Sequence, residues 1–386
     1  TRKMKTLIKL FFLSFTISVC LIGKSISEDK IKIGLIVPLT GEYKEIGDSI
    51  VKSVIMAANK IDDDNIEIHI KDNSSRPRDT FLAAKELNEA GIKIVIGPIF
   101  QKNLKLLSSF SDMTFLSLTN KIESNPKNVI SIGVNAISQI NTIKKFLKKE
   151  NLERSLFLIP DTSFKNEIEL AIKKTKLNLK NKFVYDTDPT ILTDQIEKIT
   201  RYPQRKQNLL DEIKRLEAFE DNQYENQIEN LKKKDTLGGI NFDSAIIGDF
   251  DEGLKSIATS LLYTDISSSR IKYITLNQWF DQSLLRESNL QPIYFPSVNK
   301  KNFENFNKEY LKKFGENSNQ VSFLSYDAVG LVYFLILKNN FLINEDIFLK
   351  ENKFKGKVGI FEIKNNIITH QLNFYMIDKK EITKIF

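Results

Sequence analysis

Residues 31–41, Ile-Lys-Ile-Gly-Leu-Ile-Val-Pro-Leu-Thr-Gly, constrain the fold more than any other stretch. Ile31, Ile33, Leu35, Ile36 and Val37 make a short, dense, β-branched run. That composition suits a strand buried on both faces of a parallel sheet. Pro38 has no amide to donate to a ladder, so it ends the strand. Thr40-Gly41 makes a small turn, and Ile46, Ile50, Val54 and Ala57-Ala58 then recur at helical spacing, predicting a helix over about 43–60. The unit is strand, turn, helix. Open α/β sheets bind their ligands at such turns, beyond the carboxyl ends of their strands.

The alternation continues, which is the signature of βα units and a parallel sheet. Ile66, Ile68 and Ile70 alternate as a second strand. Pro77 opens a helix carrying Phe81, Ala84 and Leu87 that stops at Gly91. Ile92–Ile96 is a third strand, and Phe115–Leu118 and Val129–Ile132 are further ones. A second set of units starts near Asn135, with strands at 156–159, 182–186, 245–247 and 271–274. Ile293-Tyr294-Phe295-Pro296 reads as a segment crossing back to the first lobe. Helices follow at about 299–314 and 321–339, then a β-rich tail with Asn365-Asn366 as its hairpin turn. Residues 204–234 differ: Leu209, Ile213 and Leu216, then Tyr224, Ile228 and Leu231, make two thin apolar stripes in a very polar stretch. This is a long helix or helical hairpin, either an exposed insertion or a coiled-coil partner site.

At 386 residues the chain suits two lobes rather than one small core. Its net charge is +8, but residues 1–27 hold Arg2, Lys3, Lys5, Lys9 and Lys24 and no acid. Without them 52 basic residues face 49 acidic ones, which gives no electrostatic case for nucleic acid. Those 27 residues read as a secretory signal: a basic start, an apolar region from Leu10 to Ile22, and Ser25-Ile26-Ser27 as a small-x-small cleavage site. The apolar region falls short of the ~20 residues a spanning helix needs. The later apolar stretch Val329–Leu337 also reads as too short, so no membrane span is expected after signal cleavage. The sole cysteine is Cys20. The alternative to cleavage is a retained membrane anchor; separately, Ile17-Ser18-Val19-Cys20 resembles a bacterial lipobox with Val19 out of pattern, which makes Cys20 a candidate lipid-attachment site.

A search for catalytic chemistry returns little. His69 and His370 lie far apart in strand-like segments without metal-ligand spacing, and read as surface or half-buried residues. No Gly-x-Gly-x-x-Gly, Walker loop or Gly-x-Ser-x-Gly occurs. No metal, cofactor or catalytic residue is expected. What remains is a set of polar and aromatic residues at strand ends: Thr40, Tyr43, Gln101, Ser117, Thr119, Phe164, Asp249 and Asp251. A two-lobed α/β protein would bring these around a cleft for a small polar ligand; the same residue types also serve as turns and helix caps.

The segments 33–43, Gly47, Ile96-Gly97-Pro98 and Phe115-Leu116-Ser117-Leu118-Thr119, in this order and spacing, resemble the type I periplasmic binding proteins of the leucine/isoleucine/valine-binding family. The resemblance covers nearly all of residues 30–386. It implies a type I periplasmic-binding fold: two doubly wound parallel-sheet lobes joined by three crossovers around a cleft. The expected division is a signal at 1–27, one lobe from 28–134 and 296–345, and the other from 135–295 and 346–386, with 204–234 inserted. The later half, with Arg205–Glu217, Phe242-Asp243-Ser244-Ala245, Gly248-Asp249-Phe250, Trp279-Phe280-Asp281 and Ser325–Val329, is more similar to one branch, the penicillin-binding protein activators (LpoA-like proteins). That branch implies a non-catalytic periplasmic regulator whose partner is a bifunctional penicillin-binding protein, a peptidoglycan synthase. The alternative is a solute-binding protein partnered by an ABC permease. In transport relatives a Ser binds the ligand carboxylate where Phe100-Gln101-Lys102 stands, and a Tyr faces the ligand where Phe164 stands. These departures imply weak or no binding of free α-amino acids, because an unpaired carboxylate in a closed cleft costs on the order of several kcal/mol.

Overall fold

The computed structural model describes residues 30–219 and 222–386. The expected signal and Cys20 lie outside the described residues. The run that opens the sequence forms β1 (Ile31–Val37), the second strand of a five-stranded parallel sheet ordered β2-β1-β3-β4-β5, with β2 Ile66–Asp72, β3 Ile94–Ile96, β4 Thr114–Ser117 and β5 Val129–Ser131. β1 is buried on both faces. Ile33, Leu35 and Val37 pack into the main core, which also takes in helix α1 (Lys44–Ile61). Ile36 lies in a separate apolar cluster with Leu87 of α2 (Pro77–Glu89) and Val95. Gly34 allows that approach, since a Cβ there would stand 2.9 Å from both Leu87 and Val95.

The second sheet has seven strands in the order β15-β14-β10-β9-β8-β6-β7. Strands β6 (Ser155–Pro160), β7 (Asn181–Tyr185), β8 (Ser244–Ile247), β9 (Lys272–Thr275) and β10 (Ile293–Ser297) run parallel. β14 (Asn373–Asp378) and β15 (Glu381–Lys384) add an antiparallel edge. Helices α3 (Ala136–Lys149), α4 (Lys165–Thr175), α5 (Pro189–Thr200) and α8 (Asp251–Tyr263) belong to this lobe. The segment Ile293–Pro296, expected to cross between lobes, is instead the interior strand β10, paired on one side with β9 and on the other with β14. Pro296 falls beyond Tyr294, the last β10 residue paired with β9.

The chain crosses between lobes at 132–135, at 298–299 and at 372. After the second crossing come α9 (Lys300–Phe314) and α10 (Gln320–Lys338), and α10 packs along α1. α10 is longer than the Val329–Leu337 stretch suggests: by length and composition it could span a membrane. Here it is a core helix, with Phe323, Leu324, Ala328, Val329, Val332 and Leu335 buried. Residues 346–371, assigned to the second lobe from sequence, pack on the first. Their strands β11 (Asn352–Lys355), β12 (Ile360–Lys364) and β13 (Ile367–Gln371) form a small antiparallel sheet against α10, with Phe354 on Phe334 and the Asp327 carboxylate accepting from the Lys357 and Val358 amides. The turn Asn365-Asn366 has φ 51° and 60°, the left-handed pair a two-residue hairpin requires. Only after residue 372 does the tail join the second sheet.

The polar stretch is a helical hairpin, α6 (Tyr202–Glu217) and α7 (Glu225–Lys232). Its two stripes close on each other: Leu209, Leu216 and Leu231 are buried together, with Ile213, Tyr224 and Ile228 packed against them. The buried Arg205 guanidinium anchors the hairpin, donating to Thr200 O (3.0 Å), Thr236 Oγ1 (3.0 Å) and Thr264 O (2.5 Å).

Candidate functional site

A cavity of about 1020 Å³ lies between the lobes. Its walls are built almost wholly from carboxyl ends of strands: Ile99–Lys102 after β3, Leu118–Lys121 after β4, Phe250 and Asp251 after β8, and Asn277–Trp279 and Asp281 after β9. The first crossing contributes Gly133 and Val134, and the start of α10 contributes Gln320, Val321 and Leu324. Parallel strands with right-handed crossovers necessarily place these ends on one side of each sheet, so the topology alone makes the cleft.

Of the residues picked from sequence, Gln101, Thr119 and Asp251 line this cavity. Gln101 is committed elsewhere: its Nε2 donates to Glu123 O (2.8 Å) and Asn125 Oδ1 (3.2 Å). Tyr43 stands beside the cleft with its ring 4.6 Å from that of Phe100, and the Lys102 ammonium lies over both rings. Thr40 Oγ1 donates to Asp72 Oδ2 (2.6 Å) and pairs with Ser74 Oγ, so its hydroxyl organises the β1 and β2 ends. Burial pushes the Asp72 carboxyl up, but hydrogen bonds from Thr40, Ser74 and Leu39 outweigh it and hold the group below its ordinary value. Ser117 is fully buried and donates to Pro98 O (2.7 Å). Asp249 accepts from the Tyr185 hydroxyl (2.6 Å) and from the Phe250 amide (2.8 Å), which shapes the β8–α8 turn. Phe164 precedes α4 and packs against the core of the second lobe. Thr40, Ser117, Phe164 and Asp249 therefore spend their side chains on the scaffold rather than on the cavity.

Sequence reasoning missed the second-lobe floor, Asn277, Gln278 and Trp279, with Gln139 from α3. The signal was available, since polar residues follow the apolar β9 run as they do β3 and β4. Asn277 is 5% exposed. Its backbone N–H donates to Gln139 Oε1 (2.9 Å), and its Oδ1 accepts from Trp279 N (2.9 Å) and Ser297 Oγ (2.7 Å). Among the described residues its Nδ2 has no partner. Asp251, Trp279 and Phe280 hold φ of 48°, 48° and 60°, a left-handed conformation uncommon outside glycine.

The lobes are also tied to each other. The loop at 121–125 leaves the first sheet and docks on α4 of the second lobe. The buried Glu167 carboxylate accepts from Ile122 N (3.1 and 3.0 Å to its two oxygens) and from Glu123 N (2.9 Å). Lys121 Nζ donates to Ser163 Oγ (3.1 Å), and Ile122 packs into the second-lobe core. Burial raises the Glu167 carboxyl above its ordinary value, and the two amides only partly offset this.

Two α/β lobes, three crossings and a cleft at the strand ends define a type I periplasmic binding protein fold. Residues 30–194 match the model of the periplasmic binding protein family. No curated protein sequence matches the chain. Among solved structures, the chain is similar to the C-domain of LpoA from Haemophilus influenzae, a regulator of PBP1A, at 14% identity, covering 92% of this chain and 100% of that one with a TM-score of 0.63. It is similar to a protein from Rhodospirillum rubrum described as a branched-chain amino acid ABC transporter, at 11% identity, 92% and 100% coverage and a TM-score of 0.69. It is also similar to a leucine-binding protein from Thermotoga maritima, at 14% identity, 92% and 98% coverage and a TM-score of 0.55. These likenesses are to binding and regulatory proteins, and at such identities they establish the fold.

Proposed function

We propose that this chain is a non-catalytic periplasmic regulator of the penicillin-binding-protein-activator type, which binds a bifunctional penicillin-binding protein and stimulates peptidoglycan synthesis. The observation that carries the reading is the Glu167 tie across the cleft. A solute carrier works by hinge closure around its ligand. Lobes joined by their own side chains instead hold one shape, which suits a surface recognised by another protein. Gln101, engaged with the 123–125 loop, is consistent with this, as is the similarity to the H. influenzae regulator domain along its whole length.

The test is binding of the purified mature protein to bifunctional penicillin-binding proteins of the same cell, with glycan polymerisation and cross-linking rates read alongside. Saturable binding with a rate increase is expected. Absence of both overturns the reading. The second reading, a solute-binding protein serving an ABC permease, is favoured by the size of the cavity. Under the regulator reading, free α-amino acids such as L-leucine leave the melting temperature unchanged. A ligand at 100 times its Kd stabilises by about 2.7 kcal/mol, so a binding amino acid would be plainly visible.

A further inference from the structure

A second cavity lies within the first lobe and shares no described lining residue with the cleft. Its volume is about 570 Å³, within the usual range for small-molecule sites. It opens between the end of α1, the α9–α10 pair and the β11–β12 turn. Ala57 and Ile61 of α1, Gly330 of α10 and the half-buried rings of Tyr326 and Phe354 give it apolar walls. Gly330 sets part of this shape. A Cβ there would stand 3.1 Å from Phe354 Cζ, so the glycine lets that ring lie close against α10.

The charges around this cavity are unevenly committed. Of its two carboxylates, Asp327 accepts from the Lys357 and Val358 amides (2.8 and 2.6 Å), and Glu309 accepts from the Lys357 ammonium (2.8 Å). That ammonium also stands 4.8 Å from the centre of the Tyr326 ring. The place a ligand cation would take, between a carboxylate and an aromatic face, is thus filled by the protein's own lysine. Lys60 and Lys355 are exposed at the rim, and among the described residues neither has an ion pair or a hydrogen bond. The acidic run Asp62–Asp64 follows α1 without lining the cavity, and Asp63 accepts from the Tyr333 hydroxyl (2.9 Å). Two uncommitted ammoniums therefore border a cavity with apolar walls.

We infer that this cavity binds a small amphiphilic anion, its flat apolar body against Tyr326 and Phe354 and its head, a carboxylate or a phosphate, paired with Lys60 and Lys355. Exposed ion pairs contribute little by themselves, so burial of the body supplies most of the affinity and the head supplies the selectivity. The site is separate from the cleft. Failure to find a penicillin-binding protein partner leaves the inference standing, and its own failure leaves the partner reading standing.

The experiment titrates the full mature protein by calorimetry with cinnamate and with phenyl phosphate, each against its uncharged counterpart, cinnamyl alcohol and phenol. Saturable binding of at least one anion is expected, with its counterpart weaker by about tenfold, the effect of two exposed ion pairs. The responding arm distinguishes a carboxylate from a phosphate head. Reversing both rim charges, Lys60→Glu with Lys355→Glu, should weaken the responding anion by about tenfold or more and leave the circular dichroism spectrum unchanged. Lys60→Gln with Lys355→Gln removes the same ammoniums without adding a charge, so either folded double variant decides. The inference is overturned if neither anion binds, if the uncharged counterpart binds as tightly, or if a folded double variant binds unchanged, which would place the anion elsewhere.

Discussion

Removing the Glu167 carboxylate should open the cleft without unfolding either lobe. In Glu167→Ala the Ile122 and Glu123 amides lose their acceptor. Hydrogen bonds to a charged group contribute about 1.5–3 kcal/mol each. The burial that raises the carboxyl above its ordinary value offsets part of that sum, leaving about 2 kcal/mol for the pair. That corresponds to about a 30-fold shift in the opening equilibrium. If the loop stayed docked, two buried amides would go unpaired at about 1–3 kcal/mol each, so undocking is the cheaper response. Amide hydrogen exchange at Ile122 and Glu123 should quicken by about 30-fold, while core amides of β1 and β6 keep their protection. The radius of gyration from small-angle scattering should rise. Glu167→Gln retains one oxygen and should fall between the two. Unchanged exchange at Ile122 and Glu123 would refute the tie. A uniform loss of protection across both sheets would also refute it, because Glu167 would then support the global fold rather than a local closure.

Further consequences concern the scaffold. A Cβ at Gly47 would stand 1.7 Å from Pro38 O, a backbone atom that cannot swing aside, so Gly47→Ala should cost about 3 kcal/mol or more, read as a lower urea midpoint. Arg205→Ala leaves Thr200 O and Thr264 O without their donor and should expose the α6–α7 hairpin to limited proteolysis while the sheets stay resistant, with a local loss of about 2–4 kcal/mol. His370, expected to be a surface or half-buried residue, is a buried residue of β13 facing the first crossing, its Nε2 2.8 Å from Ile132 O; burial pushes its pKa down from 6.5 to about 4. Below 6.5 the unfolded chain takes up a proton that the folded one refuses, so this contribution is full above pH 6.5 and is lost as pH falls towards 4, by about 3 kcal/mol at the lower end. Asp327 acts the other way: burial lifts its carboxyl from 3.8 to about 6, so its contribution is present at low pH and is lost as pH rises through 6. The stability difference between His370→Gln and wild type, measured by urea unfolding at pH 7 and pH 4, isolates the histidine; a difference independent of pH would contradict the assignment.

Much of the architecture was readable because it rests on local chemistry. Dense β-branched runs ended by Pro or Gly, followed by helical periodicity, specify βα units, and right-handed parallel crossovers then place the strand ends along one cleft. That logic located β1, the α2 start at Pro77 and the Asn365-Asn366 turn from residues alone. It failed where partners are distant. Ile293–Pro296 reads as a connector because the β9 and β14 strands that flank it are tens of residues away. The 346–371 tail reads as part of the second lobe until Asp327 and Phe334 claim it for the first.

The same division holds at the site. Sequence by itself determined the class of fold, the existence of a cleft and the absence of familiar catalytic motifs, since these follow from periodicity and spacing along the chain. It could not tell which polar strand-end residues face the cleft, because a hydroxyl or carboxylate can be consumed by a neighbour brought in from elsewhere. Thr40 is spent on Asp72, Ser117 on Pro98 and Asp249 on Tyr185, whereas Asn277 keeps a donor unpaired because Trp279 and Ser297 occupy only its oxygen. Hydrogen-bond capacity is finite and is allotted between groups distant in sequence, and only the tertiary structure records that allotment.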